Sequence, residues 1–83
     1  MAEHPNTYHL VIASVGETLF DGAAISATFP GSAGEFTILP KHEPIVTTLK
    51  PGTITVKETL GVKTFRVESG ILECSGNRAV VLL

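Results

Sequence analysis

Several features are scarce or absent in this 83-residue chain, and each absence excludes a class of protein. The six lysines and arginines are scattered between Lys41 and Arg78, so no basic cluster is present to bind nucleic acid. A single cysteine, Cys74, excludes an intramolecular disulfide. No apolar run approaches the roughly 18 residues of a transmembrane helix, and the first residues lack the positive charge of a signal peptide. We therefore expect any membrane association to be peripheral and mediated by other proteins.

The overall composition indicates a folded domain. Hydrophobic residues make up 43% of the chain and charged residues 17%, and the formal net charge is −2. These values are typical of a globular protein and unlike a disordered one. At this length, we expect residues 1–83 to form one domain.

Alternation of apolar and polar residues predicts an all-β fold. In the segment YHLVI, Tyr8, Leu10 and Ile12 share one face. The segments TITVKE and VKTFRVES alternate in the same way around Thr59-Leu60-Gly61, which predicts a hairpin. No segment of helical period is free of glycine and proline.

Turn signals recur every 8 to 12 residues or so, as in a sandwich or barrel. The dipeptides Asp21-Gly22, Pro30-Gly31 and Gly76-Asn77 are interpreted as such breaks. Further strands are expected at residues 18–20, 23–29, 36–39 and 45–49, followed by a last strand near the end of the chain. The predicted fold is a flattened β-sandwich.

No residue pattern indicates catalysis, a metal or a nucleotide. Three histidines, His4, His9 and His42, lack metal-ligand spacing, since an odd separation on a strand puts side chains on opposite faces. Cys74 lies in an apolar run and is expected in the core, and Asp21 fits a turn. The glycine loop at 31–34 leads into Glu35 and a strand, unlike a phosphate-binding loop.

Polar residues 41–43 stand between Pro40 and Pro44, and this bend is open to two interpretations. Proline disfavours a helical conformation of the residue before it, and it has no N–H to donate to a β-sheet. The two prolines therefore predict an exposed corner. The corner is either simply solvated or part of an interaction surface. Taken alone, the residues predict a small β-sandwich that binds other proteins and catalyses no reaction.

Several segments together resemble the epsilon subunit of the rotary ATP synthase. In chain order they are YHL at 8–10, ETLFDG at 17–22, PGSAGEF at 30–36, ILPKHEP at 38–44, LKPG at 49–52 and SGILE at 69–73. Each segment is weak evidence alone, but their order and spacing make the resemblance specific, and it covers nearly the whole chain. The alternative is an unrelated small β-sandwich that serves as a protein–protein interaction module.

The resemblance implies a fold and a role. The fold is a flattened sandwich of about ten short strands, the N-terminal domain of that subunit. The role is a non-catalytic one in the central stalk of a proton-translocating synthase, where the domain binds the gamma subunit and contacts the c-ring. The implied location is the cytoplasmic face of a bacterial inner membrane. No cofactor is implied.

The resemblance also implies contact residues. Ser32, Ala33, Gly34 and Glu35 would approach the c-ring, and His42 would lie at the same end or its margin. The gamma subunit would meet leftover apolar residues, with the first strands and the hairpin at 57–66 as candidates.

Two departures from the family pattern affect these expectations. Lys41 replaces a glycine before the histidine, which is expected to remove left-handed backbone freedom at the corner. The sequence also stops at Leu83, so we expect a short form without the C-terminal helical hairpin of many members.

Overall fold

The computed structural model describes residues 6–83, and the predicted all-β fold is confirmed there. His4 and the other residues before position 6 lie outside this range. Nine strands form, one fewer than the roughly ten expected, and no helix occurs in residues 6–83. The strands are β1 Tyr8–Ser14, β2 Glu17–Ala24, β3 Ser26–Gly31, β4 Gly34–Ile38, β5 Ile45–Leu49, β6 Gly52–Glu58, β7 Gly61–Val67, β8 Gly70–Ser75 and β9 Arg78–Leu82.

The strands form one curled sheet that folds over on itself. Its order is β2-β1-β9-β8-β5-β3-β6-β7, and β4 pairs with β3. One layer of the sandwich is therefore β2-β1-β9-β8-β5 and the other is β4-β3-β6-β7. The layers are joined where β3 meets β5, at the single Cα pair Gly31 and Leu49.

The core lies between the layers and is made from the inward face of each alternating strand. Tyr8, Leu10 and Ile12 are buried as their spacing predicts, and Cys74 is also in the core. The largest fully buried side chains come from both layers: Phe29, Leu10, Ile12, Ile38, Ile54, Leu72, Val56 and Val81. Burying each of the larger ones stabilises the fold by about 1.5–3 kcal/mol relative to leaving it exposed.

Two predicted turns are confirmed. Gly76 and Asn77 connect β8 to β9 with φ angles of 55° and 59°. Positive φ at both positions defines a type I′ turn, whose twist matches the flanking strands. Thr59 and Leu60 connect β6 to β7.

One predicted break is wrong and another is confirmed. Asp21 and Gly22 lie inside β2, paired with Val11 and Leu10, and the chain instead bends at Ile25. Pairing with β1 holds this dipeptide extended despite its turn preference, because tertiary contacts override local propensity. Pro30-Gly31 is confirmed as a break, because these are the last two residues of β3 and the turn follows at Ser32 and Ala33. The Pro30 carbonyl also accepts a hydrogen bond from Lys50 N–H at 2.9 Å.

Candidate functional site

The loop predicted to contact a ring forms the tip of the β3–β4 hairpin. Ser32 and Ala33 are the turn residues, and Gly31 pairs with Gly34 beneath them. A Cβ on Gly31 would lie 2.6 Å from the Gly34 carbonyl oxygen and from the Phe36 ring, so only glycine fits there. Ser32, Ala33, Gly34 and Glu35 are all exposed. The four predicted residues therefore form one projecting polar surface, called the hairpin tip below.

The hairpin tip is fixed to the other layer at one point. Ser32 N–H donates to the Thr48 carbonyl at 3.0 Å, and the hydroxyls of Ser32 and Thr48 lie 2.8 Å apart. Among the described residues, the Glu35 carboxylate forms no hydrogen bond or ion pair. The tip thus presents a free negative charge on an anchored turn.

His42 lies apart from the hairpin tip. The corner at 40–44 lies just before the first residue of β5, Ile45. Ser32 is bonded to Thr48, which lies near the last residue of that strand. Three residues of extended strand separate these points, about 10 Å. The His42 imidazole is satisfied locally, with Nδ1 2.7 Å from the Glu43 carbonyl oxygen. The structure therefore brings residues 32–35 together and leaves His42 at the other end of β5.

Lys41 adopts the left-handed conformation that glycine would provide, with φ of 64°. This conformation costs a non-glycine residue about 1–2 kcal/mol. Its N–H donates to Oδ1 of Asn77 at 2.8 Å, and Asn77 Nδ2 donates to the Thr7 carbonyl at 2.9 Å. These bonds hold the corner, so the replacement of glycine by lysine did not remove the left-handed bend.

A chain of three polar side chains crosses β2, β1 and β9, and the sequence did not indicate it. The Asp21 carboxylate lies 2.5 Å from His9 Nε2, and Arg78 donates to His9 Nδ1 at 3.0 Å. The carboxylate requires a hydrogen on Nε2, which leaves the lone pair on Nδ1 for Arg78. Only the strand register could have revealed it, because Asp21 sits diagonally across from His9.

This chain of side chains does not resemble a catalytic site. Both imidazole nitrogens are occupied by protein groups, so neither is free to accept a proton from a substrate. The His9 and Asp21 side chains are 44% and 60% exposed.

Burial raises the pKa of the Cys74 thiol, which keeps it protonated and unreactive. Within residues 6–83 no three His, Cys, Asp or Glu side chains cluster as metal ligands.

The outward side of one layer carries a group of neighbouring apolar side chains. Val46 on β5, Ile71 on β8 and Leu82 on β9 are 69%, 50% and 58% exposed. The half-buried Val11 and Val80 join them through direct pairing of β1 with β9. We call these five residues the apolar outer face. Grouped exposed apolar residues of this kind mark sites of protein interaction.

The family comparison matches the chain over most of its length. The family described as "ATP synthase, Delta/Epsilon chain, beta-sandwich domain" matches residues 7–83. An ATP synthase epsilon chain from Polaromonas naphthalenivorans is 37% identical over 78 residues, and one from Delftia acidovorans is 38% identical over 78 residues. Each match covers 93% of this chain and 56% of the relative, so the chain spans little more than half their length.

Two solved assemblies contain a chain of the same fold. One is the Euglena gracilis mitochondrial ATP synthase, OSCP/F1/c-ring, with a TM-score of 0.87 and 19% identity over 98% of this chain and 52% of that chain. The other is the Tetrahymena thermophila mitochondrial ATP synthase central stalk and c-ring, with a TM-score of 0.75 and 18% identity over 89% and 60% of the two chains.

The fold and its exposed surfaces define a small β-sandwich domain with a polar hairpin tip and an apolar outer face. The chain belongs to the family of β-sandwich domains of ATP synthase delta and epsilon chains. The alternative of an unrelated interaction module is therefore set aside. No part of residues 6–83 forms a helix long and apolar enough to cross a membrane.

Proposed function

We propose that this chain is a non-catalytic subunit of the central stalk in a rotary, proton-translocating ATP synthase, and that it couples proton flow to ATP synthesis by binding. The observation that carries the proposal is that one domain of the delta/epsilon family has two separate exposed surfaces, the apolar outer face and the hairpin tip. Such a domain has two binding surfaces and needs no chemistry of its own.

The apolar outer face is the proposed binding surface for the gamma subunit. It includes β1, one of the strands expected from the sequence, and extends over β9, β8 and β5. The second candidate, the hairpin at 57–66, exposes only Leu60 and Val62 as large apolar side chains. Four adjacent strands give a broader and more rigid surface than a hairpin end, which favours the outer face.

The hairpin tip is the proposed contact with the c-ring. Its four residues Ser32, Ala33, Gly34 and Glu35 project from an anchored turn, and the Glu35 charge is free to meet a basic or amide group. His42 was expected at the same contact, but its position at the other end of β5 makes it a separate candidate. An exposed ion pair at Glu35 would contribute about 0–1 kcal/mol, so it would orient the contact more than hold it.

The relatives named above come from bacteria, which supports a peripheral position on the cytoplasmic face of a bacterial inner membrane within the complex. No nucleic acid and no cofactor takes part in this proposed role. The membrane is reached only through the other subunits.

Binding to the gamma subunit of the same genome tests the proposal. Size-exclusion chromatography of this chain with that subunit at micromolar concentrations should give a stable complex. Leu82→Asp places a charge on the apolar outer face and should weaken binding at least about 10-fold. Leu60→Asp is the matched control on the 57–66 hairpin and should bind normally.

The two variants separate the candidate surfaces. Loss of binding in Leu60→Asp but not in Leu82→Asp would assign gamma to the hairpin. No complex with the unaltered chain would contradict the stalk role itself. Circular dichroism checks that both variants keep the β-sheet spectrum of the unaltered protein.

A further inference from the structure

One carboxylate lies in the middle of the apolar outer face. Glu73 on β8 is exposed, and its directly paired neighbours are Val80 on β9 and Val46 on β5. Val11 continues the same row on β1, and Ile71 is the next outward residue along β8. The row Val11, Val80, Glu73, Val46 thus crosses four strands over about 14 Å at the usual strand spacing, with Glu73 as its one charge. Beyond Val11 the row ends on β2 at Asp21, whose carboxylate is bonded to His9.

Arg78 lines the same cleft as Glu73 but is bonded to His9, and no described cation forms an ion pair with Glu73. Glu73 forms no side-chain hydrogen bond or ion pair within residues 6–83. The nearest cation by register is Arg78, two residues from Val80 along β9, and its guanidinium is bonded to His9. In the free protein, solvent therefore satisfies Glu73.

Covering the apolar outer face would remove that solvent. A carboxylate taken out of water loses its hydration, at a cost of several kcal/mol that is recovered only if a cation or several donors replace the water. A partner that is apolar throughout would therefore leave Glu73 unpaired and bind poorly. The partner that fits is apolar around one positive charge.

We propose that Glu73 determines partner specificity on the apolar outer face by pairing with a single lysine or arginine that the gamma subunit presents within an apolar surface. This inference rests on the proposed role of the face as the gamma-binding surface. It adds the chemistry of the contact, with valines at 11, 46 and 80 meeting aliphatic side chains and Glu73 meeting the cation. A charged pair of this kind also rejects surfaces that are apolar but uncharged or acidic.

A stable interface buries about 800 Å² per partner, so a partner bound here would also cover residues around the row. The row would then lie at the centre of the contact, with polar residues at its rim. The chain of Asp21, His9 and Arg78 lies at one margin of the face and belongs to that rim.

The test measures the affinity of the unaltered chain and three variants for the cognate gamma subunit by isothermal titration calorimetry. Removing one partner of a buried charge pair costs enough to weaken binding 10-fold or more. Glu73→Gln should therefore raise Kd at least about 10-fold, and Glu73→Lys more than about 100-fold. Glu43→Gln is the matched control, an exposed carboxylate at the corner away from the face, and should leave Kd unchanged.

The outcomes distinguish this inference from the proposed function. Normal binding by the unaltered chain with Kd of Glu73→Gln within about twofold would overturn the role of Glu73 and leave the gamma-binding role standing. No binding by the unaltered chain would overturn both. Equal weakening by Glu43→Gln would mean that net charge, not the position of Glu73, sets the affinity. Thermal melts of each variant check that the fold is retained.

Discussion

The backbone N–H of Lys41 donates a hydrogen bond to the side-chain oxygen of Asn77, 36 residues further along the chain, at 2.8 Å. Asn77 also donates to the Thr7 carbonyl and occupies a left-handed turn position with φ of 59°. One side chain therefore connects the corner at 40–44, the β8–β9 turn and the start of β1. The stability of the corner depends on a residue in a different hairpin.

Replacing Asn77 by glycine tests this connection. Glycine tolerates the positive φ, so the substitution removes the two hydrogen bonds without adding strain. We expect the free energy of unfolding to fall by about 1–2 kcal/mol, measured by urea denaturation. Asn77→Asp keeps the acceptor for Lys41 and loses the donor to Thr7. Its free energy of unfolding should therefore fall by about half as much. Equal stability of Asn77→Gly and the unaltered protein would contradict the connection.

Replacing Lys41 by glycine should have the opposite sign. Glycine relieves a left-handed conformation that costs lysine about 1–2 kcal/mol, and its own chain entropy offsets part of the gain. We expect the free energy of unfolding to rise by about 0.5–1 kcal/mol in thermal melts. The control is Lys50→Gly, at an exposed lysine without positive φ, which should be destabilised instead. A loss of stability in Lys41→Gly would show that the lysine side chain itself supports the corner.

Much of the fold follows from the sequence because one face of each strand is buried. The alternation of apolar and polar residues predicted that Leu10 and Ile12 lie in the core. The turn at Gly76-Asn77 was predictable because only a few dipeptides adopt positive φ at both positions. The break predicted at Asp21-Gly22 is wrong because pairing with β1 across the β1–β2 hairpin overrides the turn preference of this dipeptide, and the dipeptide alone does not show that β2 continues through it.

The candidate surfaces were harder to predict than the fold. The hairpin tip at 32–35 came from family resemblance, and its contact with a ring stays a prediction. The position of Glu73 between Val46 and Val80 depends on which strands are neighbours, and β5 pairs with β8 across more than twenty residues of chain. Likewise, nothing in a linear pattern places Asn77 beside Lys41.

The Tyr8 hydroxyl gives a pH-dependent prediction. It donates to the Ile38 carbonyl at 3.1 Å, and burial, with a smaller contribution from the Cys74 thiolate charge, raises the pKa of the phenol well above its ordinary value. The unfolded phenol ionises near pH 10, so this contribution to stability is complete below pH 10 and is lost as the pH rises further. We expect a loss of roughly 1.4 kcal/mol per pH unit from this group above pH 10.

The variant Tyr8→Phe isolates that effect, because Cys74 is common to both proteins. At pH 7 it should be about 1 kcal/mol less stable, since the Ile38 carbonyl loses a donor. By pH 11 the difference should vanish or reverse in urea denaturation. A stability difference that is the same at pH 7 and pH 11 would contradict the assignment.

Reversing the charge at Glu35 tests the hairpin tip. Glu35 has no partner among the described residues, so Glu35→Lys should change the free energy of unfolding by less than about 0.5 kcal/mol. It should reduce ATP-driven proton pumping by the assembled synthase in inverted membrane vesicles. Glu43→Lys, at the corner that carries His42, compares the two candidate contacts and should pump normally if the hairpin tip is the one that meets the ring. Unfolding of the isolated Glu35→Lys domain with unchanged pumping would place the ring contact elsewhere.

The join between the two layers has a mechanical consequence. Only a short ladder around Gly31 and Leu49 crosses from β3 to β5, so a load applied at the hairpin tip has few backbone bonds through which to reach the outer face. The load would instead pass through the buried core cluster between the layers, to which Phe29 and Leu72 belong. Such interiors compress very little. The domain therefore behaves as a stiff spacer whose rigidity comes from close packing of its core. A substitution that leaves a cavity in the core would reduce this stiffness even where the domain stays folded.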